Sequence, residues 1–234
     1  MSASDGVSAS DGVSASDGVG ASDGVGGAAH TDQLPYRIGL TGNIATGKST
    51  VGRMLEALGA ERIDADEVAH DVMSPGGSAY RPVIEAFGPE ILASGATCPQ
   101  IDRQALGTIV FADPEALKEL ESLVHPAVIR AVDERIATTT ARVVVVEAIK
   151  LLESGMAEAY DAIWVTTCPE ADQLDRLMRL RGLSRETALI RIEAQPPQAE
   201  KVARAHVVIR TAGSLGETRA QVVAAWYALP EEVR

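Results

Sequence analysis

The fold follows from residues 42–49, Gly42-Asn43-Ile44-Ala45-Thr46-Gly47-Lys48-Ser49, whose spacing G-x-x-x-x-G-K-[ST] is typical of phosphate-binding loops. The two glycines that this pattern requires, Gly42 and Gly47, let the backbone curl, so that successive N–H groups point inward and form an anion-binding site. We expect the Lys48 ammonium to meet the β- and γ-phosphates of a nucleotide and the Ser49 hydroxyl to bind Mg²⁺. With Thr50, residues 42–50 are predicted to bind the phosphates.

The segments on either side of this loop support the prediction. Ile38-Gly39-Leu40 is a short apolar run that suits a buried strand. After the loop, apolar residues recur at helical spacing, at Val51, Met54, Leu55 and Leu58. Gly59 then stands where a helix C-terminal cap belongs. Because strand, loop and helix follow in the order that phosphate binding requires, we prefer this interpretation to a glycine-rich turn closed by an N-cap serine.

The first residues of the chain have a different composition. Three copies of Ser-Ala-Ser-Asp-Gly-Val follow one another from Ser2, and residues 20–25 form an imperfect fourth copy. Each copy carries one valine and no larger apolar side chain, so stacked copies would bury too little surface to offset chain entropy. Residues 1–32 are therefore predicted to form a disordered tail, without the basic start and apolar core of a signal peptide. Residues 33–234 are predicted to form one domain.

Charge and cysteine content narrow the class of protein. The formal net charge is −12, and four aspartates in the first 30 residues leave −8 for the rest, which disfavours nucleic acid as a partner. Cys98 and Cys168 lack paired metal-ligand spacing, so reduced thiols in the cytoplasm are expected. No apolar run approaches the roughly 20 residues of a membrane span, so no membrane partner is expected.

Strands and helices are predicted to alternate along the rest of the chain, which favours an α/β fold with a parallel sheet. The further strand candidates are residues 61–64, 143–146, 162–165 and 207–209. Four consecutive valines at 143–146 suit a strand that is buried on both faces. The long helical stretch before them exceeds one crossover, so a helical insert is expected at about 67–140. Within it, Asp102 and Asp113 are N-cap candidates, and His125-Pro126 is expected to separate two helices.

Two carboxylates, Asp64 and Asp66, follow the second predicted strand. In open α/β sheets, the carboxyl ends of the strands face the ligand crevice. A carboxylate there can accept the proton of an attacking hydroxyl or orient Mg²⁺ through water. We therefore take Asp66, with Lys48, as a catalytic candidate and Asp64 as an acceptor-side candidate. The alternative is that Asp66 caps a helix that begins at Glu67.

Residues 170–197 are rich in arginine and are predicted to form two helices with a break at Gly182. Phosphoryl transfer spreads negative charge over the transferring oxygens, and arginines on a closing lid would stabilise that charge. The lid candidates are Arg176, Arg179, Arg181 and Arg191. The alternative is that they lie on exposed helix faces and pair with Glu186 and Glu193.

Two further residues are acceptor-side candidates. His125 precedes a proline, so the alternative is a residue at a helix boundary without a catalytic role. Lys150 follows the valine-rich strand, and it either contacts a phosphate or extends along the surface with its ammonium in water.

Together these segments resemble the dephospho-CoA kinase family from about Tyr36 to Ala228. The segments that carry the resemblance are 40–50, 63–66 with His70, 102–103, Leu106, 110–114, 125–126, 151–155, and Arg191-Ile192 with Gln195, Lys201 and Ala205. The resemblance implies ATP-dependent phosphorylation of the ribose 3′-hydroxyl of dephospho-CoA, giving coenzyme A and ADP, with ATP and Mg²⁺ as cofactors. It also implies a P-loop kinase fold with a central parallel sheet, an inserted helical acceptor-binding lobe and a helical lid. By that analogy Asp66 is the base.

The sequence departs from the family pattern at several positions. Asn43 and Ala45 stand where the family usually has glycine, both at x positions of the loop. Ile149-Lys150 replaces the usual Pro-Leu, and Leu180 stands where an arginine is usual. Three substitutions near the last strand bear on adenine contacts: His206, Arg210 and Thr211.

Two other functions fit the phosphate-binding loop. One is another small-molecule P-loop kinase with a nucleoside-like acceptor. The other is a GTP-binding regulator, which would usually carry a guanine-reading Asn-Lys-x-Asp stretch, and the sequence has none.

Overall fold

A sheet of five parallel strands lies at the centre of the protein. The strands are β1 (Tyr36–Thr41), β2 (Glu61–Asp64), β3 (Val143–Glu147), β4 (Ala162–Thr167) and β5 (Val207–Arg210). Their order across the sheet is β2-β3-β1-β4-β5. The computed structural model describes residues 34–93, 99–153 and 156–234, so the predicted tail and Cys98 lie outside the described residues.

Helices connect the strands and cover both faces of the sheet. In the described residues they are α1 (Lys48–Glu56), α2 (Ala65–Val72), α3 (Tyr80–Phe87), α4 (Arg103–Ala112), α5 (Pro114–Thr138), α6 (Glu170–Arg181), α7 (Arg185–Glu193), α8 (Gln198–Ala203) and α9 (Leu215–Tyr227). Short 3-10 turns lie at Pro89–Ile91, Met156–Ala159 and Glu231–Val233. Within the described residues, no helix has both the length and the apolar character that crossing a bilayer requires.

The run of valines in β3 is explained by the two covered faces of the sheet. Val143 and Val145 belong to a core that includes residues of α1 and α9, here called the α1/α9 core. Val144 and Val146 belong to a core on the opposite face, with residues of α2 and α5. Because side chains alternate along a strand, a strand that is covered on both faces needs apolar residues at every position. The predicted parallel α/β fold is confirmed.

The helices between β2 and β3 occupy the segment predicted as an insert. Buried residues of α2 and α5, including Val68 and Val132, share one core with Val144 of the sheet. The insert therefore packs directly on the sheet instead of folding around a core of its own. The predicted N-caps in this segment are confirmed, because Asp102 accepts from Gln104 N at 2.8 Å and Asp113 accepts from Glu115 N at 2.9 Å.

The predicted helix boundary at His125-Pro126 is wrong. The helix α5 continues through Pro126, which lies in its interior. A proline inside a helix removes one backbone hydrogen bond, at a cost of about 3 kcal/mol. Buried residues on both sides of it, among them Val124, Val128 and Val132, pack into the core, and each such side chain contributes about 1.5–3 kcal/mol. Tertiary packing therefore outweighs the local preference of proline.

The two arginine-rich helices form a small core of their own. Leu177 of α6 packs with Ala188 and Ile192 of α7, and Ile44 and Ala45 of the phosphate-binding loop pack against them. The predicted break between the helices is confirmed at Gly182, which has a left-handed backbone with φ 65°. The loop and these helices are therefore in direct contact.

Candidate active site

The phosphate-binding loop connects β1 to α1, as its spacing predicts. Gly47 is the N-cap residue of α1 and has φ 88°. Gly42 has φ 151°, and a Cβ placed on it would lie 2.4 Å from Thr166 Oγ1 and 2.5 Å from the Thr166 carbonyl oxygen. Since no side chain fits there, the neighbouring strand β4 requires glycine at this point of the loop.

The Lys48 ammonium lies inside the loop. It donates to the carbonyl oxygen of Gly42 at 2.9 Å and to that of Asn43 at 3.4 Å. Burial lowers the pKa of Lys48 to about 8, although the negative charges of Glu147 and Asp66 act to raise it. A nucleotide phosphate in the loop would supply further negative charge to this desolvated cation.

Glu147 is a functional candidate that sequence analysis missed. It ends β3, is 4% exposed, and its Oε1 accepts from Ser49 Oγ at 2.7 Å. The Arg62 guanidinium lies on its other oxygen, with Nη1 2.9 Å from Oε2. The available signal was an acidic residue directly after four valines, at the edge of the sheet that faces the ligand crevice.

The oxygen donors of Ser49 and Glu147 fit the chemistry that Mg²⁺ requires. Mg²⁺ prefers oxygen ligands and is usually held by one or two protein groups together with substrate phosphates and water. In the part of the chain that the structure describes, no group of three or more His, Cys, Asp or Glu residues is arranged to hold a metal. A hydroxyl beside one carboxylate at the phosphate-binding loop is thus a donor set of the kind that Mg²⁺ binds when phosphates and water supply its other ligands.

Asp64, and not Asp66, caps the helix that follows β2. The helix α2 begins at Ala65, and the Asp64 side chain accepts from the backbone N–H groups of Asp66 at 3.0 Å and Glu67 at 3.4 Å. The alternative role of Asp66 as a helix cap is therefore wrong. Asp66 lies in the first turn of α2 with its carboxylate free of a capping role.

Opposing influences set the pKa of the Asp66 carboxylate, and three of them are cations from separate elements of the fold. Asp66 is exposed, yet nearby protein atoms displace enough water to raise its pKa, and the Asp64 charge raises it further. Lys48 of the loop, Arg103 of α4 and Arg181 of α6 lower it. The phosphate-binding loop, the helical insert and the arginine-rich helices therefore converge on this carboxylate.

The four lid candidates occupy different environments. A cavity of about 480 Å³ beside the loop is lined by Lys48, Ser49, Thr50, Arg176, Arg179, Arg181, Thr211, Gly213 and Leu215, among others. Arg191 lies exposed on α7, outside this set. Arg179 pairs with Asp175 of its own helix at 3.7 Å, not with Glu186 or Glu193.

Arg176 supports the loop itself. Its Nη1 donates to the carbonyl oxygen of Ala45 at 3.0 Å and to Thr211 Oγ1 at 3.2 Å, and its Nη2 donates to the Thr211 carbonyl oxygen. Among the described residues, Ala45 is the one non-glycine residue with positive φ, at 58°. Arg176 therefore stabilises a backbone conformation that costs alanine about 1–2 kcal/mol.

Further hydrogen bonds join the loop to the segment that leaves α7. Gln195 Oε1 accepts from Ile44 N at 2.7 Å, and Asn43 Nδ2 donates to the Pro196 carbonyl oxygen at 2.8 Å. Gln173 of α6 donates to the Ile44 carbonyl oxygen at 2.6 Å. Asn43 stands where the resembled family usually has glycine, and its side chain thus adds a contact with the end of the arginine-rich segment.

His125 and Lys150 line one cavity, of about 330 Å³, together with Asn43, Gln195 and Lys201. Asp64, the third acceptor-side candidate, is not among its lining residues. The Lys150 ammonium pairs with Glu121, so its charge is already compensated. Lys201 is 3% exposed and donates to the Ile149 carbonyl oxygen at 2.8 Å and to Glu153 at 2.6 Å.

A separate, mainly apolar cavity of about 190 Å³ lies within the helical insert. Its lining includes His70, Met73, Arg103, Leu106 and Phe111. Phe111 is 86% exposed, which is unusual for so large an apolar side chain. Because Arg103 lines this cavity and also acts on Asp66, the cavity and the carboxylate are neighbours.

Comparison with known proteins agrees with this geometry. Residues 36–217 match the family model described as dephospho-CoA kinase. The chain is 46% identical over 189 residues to a dephospho-CoA kinase of Carboxydothermus hydrogenoformans, a match that covers 80% of this chain and 90% of that protein.

Two solved structures share the fold. The crystal structure of TT1252 from Thermus thermophilus has a TM-score of 0.74 and 35% identity, and covers 85% of this chain and 100% of that one. Dephospho-CoA kinase from Campylobacter jejuni has a TM-score of 0.62 and 28% identity, and covers 85% and 98% of the two chains. The chain therefore belongs to the dephospho-CoA kinase family.

Proposed function

We propose that this protein transfers the γ-phosphoryl group of ATP to the ribose 3′-hydroxyl of dephospho-CoA, giving coenzyme A and ADP. One observation carries the proposal: the cavity beside the phosphate-binding loop is lined by Lys48, Arg179 and Arg181, and the Lys48 charge also acts on the Asp66 carboxylate. Phosphoryl transfer to an alcohol needs a carboxylate for the hydroxyl proton and cations around the transferring oxygens. Family membership supports dephospho-CoA as the acceptor.

The nucleotide is proposed to occupy the cavity beside the loop. The N–H groups of residues 42–50 and the Lys48 ammonium bind the β- and γ-phosphates, and the first turn of α1 adds the positive end of its dipole. Ser49 and Glu147 would hold Mg²⁺, which would neutralise charge on the phosphate oxygens. Arg181 of α6 is placed to stabilise the charge that develops during transfer, because it lines the same cavity as Lys48.

Asp66 is proposed to accept the proton of the 3′-hydroxyl. Its raised pKa makes it a better proton acceptor than an ordinary aspartate, since efficient bases have a pKa near the working pH. Lys48, Arg103 and Arg181 act against this rise and lower the pKa of Asp66 in part. Desolvation therefore raises the pKa of Asp66, while the surrounding cations lower it.

The helical insert is proposed to bind the acceptor. The long arm of dephospho-CoA is partly apolar, and the cavity lined by Leu106 and Phe111 offers it an apolar wall. Arg103, which lines this cavity and lowers the pKa of Asp66, is proposed to contact acceptor phosphate. His125 and Lys150 remain acceptor-side candidates on the strength of their shared cavity next to the loop.

The arginine-rich segment, about 170–197, is proposed to act as a lid over ATP. Arg179 and Arg181 line the nucleotide cavity, whereas Arg176 holds the Ala45 backbone at the base of the segment. We also propose a cytoplasmic location for the protein. The free thiol of Cys168 supports it, because reducing compartments keep thiols unpaired.

Product analysis tests the proposed reaction. The protein is incubated with ATP, Mg²⁺ and one acceptor at a time, and dephospho-CoA is compared with nucleosides and small alcohols. We expect ADP and a single new phosphate on the ribose 3′-oxygen of dephospho-CoA, located by phosphorus NMR and mass spectrometry. Preferential phosphorylation of a nucleoside would favour the alternative kinase, and GTP hydrolysis without any acceptor would favour a regulator.

A further inference from the structure

Arg62 lies on the edge strand β2 and contacts two carboxylates at the ends of neighbouring strands. Its Nη1 is 2.9 Å from Glu147 Oε2 and 3.4 Å from Asp64 Oδ2. The Arg62 side chain is 17% exposed and that of Glu147 is 5% exposed, so water screens this pair little. In the register of the sheet, Asp64 lies opposite Glu147, which places both acids beside one guanidinium.

The helix α1 leaves room for the Arg62 side chain. A Cβ on Gly52 would lie 2.8 Å from Arg62 Cδ and 3.2 Å from Glu147 Oε2. Any other residue at position 52 would displace the arginine or the carboxylate. The Arg62–Glu147 contact is therefore built into the packing between α1 and the sheet.

Both oxygens of Glu147 have protein donors. Ser49 Oγ donates to Oε1, and Arg62 donates to Oε2. The Arg62 charge compensates the carboxylate at the point where Glu147 and Ser49 would hold a divalent cation. Only Oε1 faces the hydroxyl that belongs to the phosphate-binding loop.

We propose that Arg62 is a positioning residue of the cation site. Its positive charge neutralises Glu147 until the nucleotide arrives. With its charge compensated, Glu147 attracts a free divalent cation weakly. The phosphates then supply the missing negative charge, so that the cation enters together with ATP. This inference rests on the proposed function, in which Ser49 and Glu147 hold Mg²⁺.

The test measures binding of Mn²⁺, a paramagnetic substitute for Mg²⁺, by electron paramagnetic resonance. The full chain and its Arg62→Met variant are titrated with and without a non-hydrolysable ATP analogue. A unit charge and a divalent ion about 6 Å apart change each other's affinity by about tenfold, even at the dielectric constant of water. We therefore expect Arg62→Met to bind Mn²⁺ without nucleotide at least about tenfold more tightly than the wild type.

Matched variants separate charge from shape. Arg62→Lys keeps the charge and is expected to resemble the wild type, whereas Arg62→Gln keeps a donor toward Glu147 without the charge and is expected to resemble Arg62→Met. Arg62→Gln also serves if Arg62→Met fails to fold. Arg135→Met removes an exposed pair between α5 and Asp71 of α2, which includes neither Ser49 nor Glu147, and should leave Mn²⁺ binding unchanged.

Two outcomes would overturn the proposal. In the first, folded Arg62→Met and Arg62→Gln bind Mn²⁺ without nucleotide no more tightly than the wild type. In the second, Arg62→Lys gains as much affinity as Arg62→Met, which would assign the effect to side-chain shape. If the wild type with the ATP analogue binds no Mn²⁺, or if Ser49→Ala binds it equally well, the cation site of the proposed function fails as well.

Discussion

Replacing Asp66 by asparagine should abolish most of the turnover while leaving the fold intact. Asparagine keeps the shape of the side chain but cannot accept the proton of the acceptor hydroxyl. General-base catalysis by a positioned group contributes about 10²–10⁴-fold, so kcat should fall by about that factor. ATP binding should be retained, because residues 42–50 are unchanged.

The stability of this variant follows from the position of the helix cap. Asp64 accepts the capping hydrogen bonds of α2, so Asp66→Asn leaves the cap in place. The pKa of Asp66 is raised by burial, which means that the folded protein gains nothing from its charge. The free energy of unfolding should therefore stay within about 1 kcal/mol of wild type, because Asp66 is exposed and makes no capping hydrogen bond.

Asp64 provides the matched controls. Asp64→Asn keeps a capping side chain, because asparagine caps about as well as aspartate, and kcat should stay within about tenfold of wild type. Asp64→Ala loses the cap and the contact with Arg62, and should be destabilised by about 1–3 kcal/mol. Each kcal/mol lowers the melting temperature of a domain this size by about 2–4 °C.

The measurements are initial rates at saturating ATP and dephospho-CoA, with thermal melts of the same samples. The reasoning about Asp66 is refuted if Asp66→Asn keeps most of its turnover. It is also refuted if Asp64→Asn loses as much kcat as Asp66→Asn, since the base would then be misassigned between two residues that lie two positions apart.

Four further predictions concern the same site. In a pH series, kcat should fall as the pH drops through the raised pKa of Asp66, so the acid limb should lie above the ordinary aspartate range. Lys48→Ala should lower kcat/KM by about 10²-fold or more in steady-state assays, because the positive charge that meets the β- and γ-phosphates is lost. Arg176→Met should lower both the melting temperature and ATP affinity measured by calorimetry, because it frees the Ala45 carbonyl, whereas exposed Arg191→Met should change neither. Phe111→Ala should raise the KM for dephospho-CoA and leave the KM for ATP unchanged, and equal effects on both would exclude an acceptor role.

Local patterns predicted most of the fold. The spacing of residues 42–49 and the valine run of β3 depend on neighbours in sequence, and so do the caps at Asp102 and Asp113. The wrong prediction at Pro126 arises from contacts that are distant in sequence. Residues of the sheet and of other helices stabilise α5 on both sides of the proline. A boundary that depends on distant packing cannot be located from a dipeptide.

The candidate site was predicted less completely than the fold. The contact of Ser49 with Glu147 joins residues 98 positions apart and depends on the order β2-β3-β1 within the sheet. The role of Arg103 depends on how α4 is placed relative to the loop. Capping by Asp64 instead of Asp66 is a shift within one turn of helix, which is the precision at which helix boundaries inferred from sequence fail.

The location of the tryptophans determines what intrinsic fluorescence can measure in this protein. Trp164 and Trp226 are the two tryptophans of the chain, and both belong to the α1/α9 core. Their emission will follow the melting of that core, while opening of the helical insert or movement of the arginine-rich helices could pass without a signal. A Phe111→Trp variant would place an exposed fluorophore at the rim of the insert cavity, where acceptor binding should shift its emission.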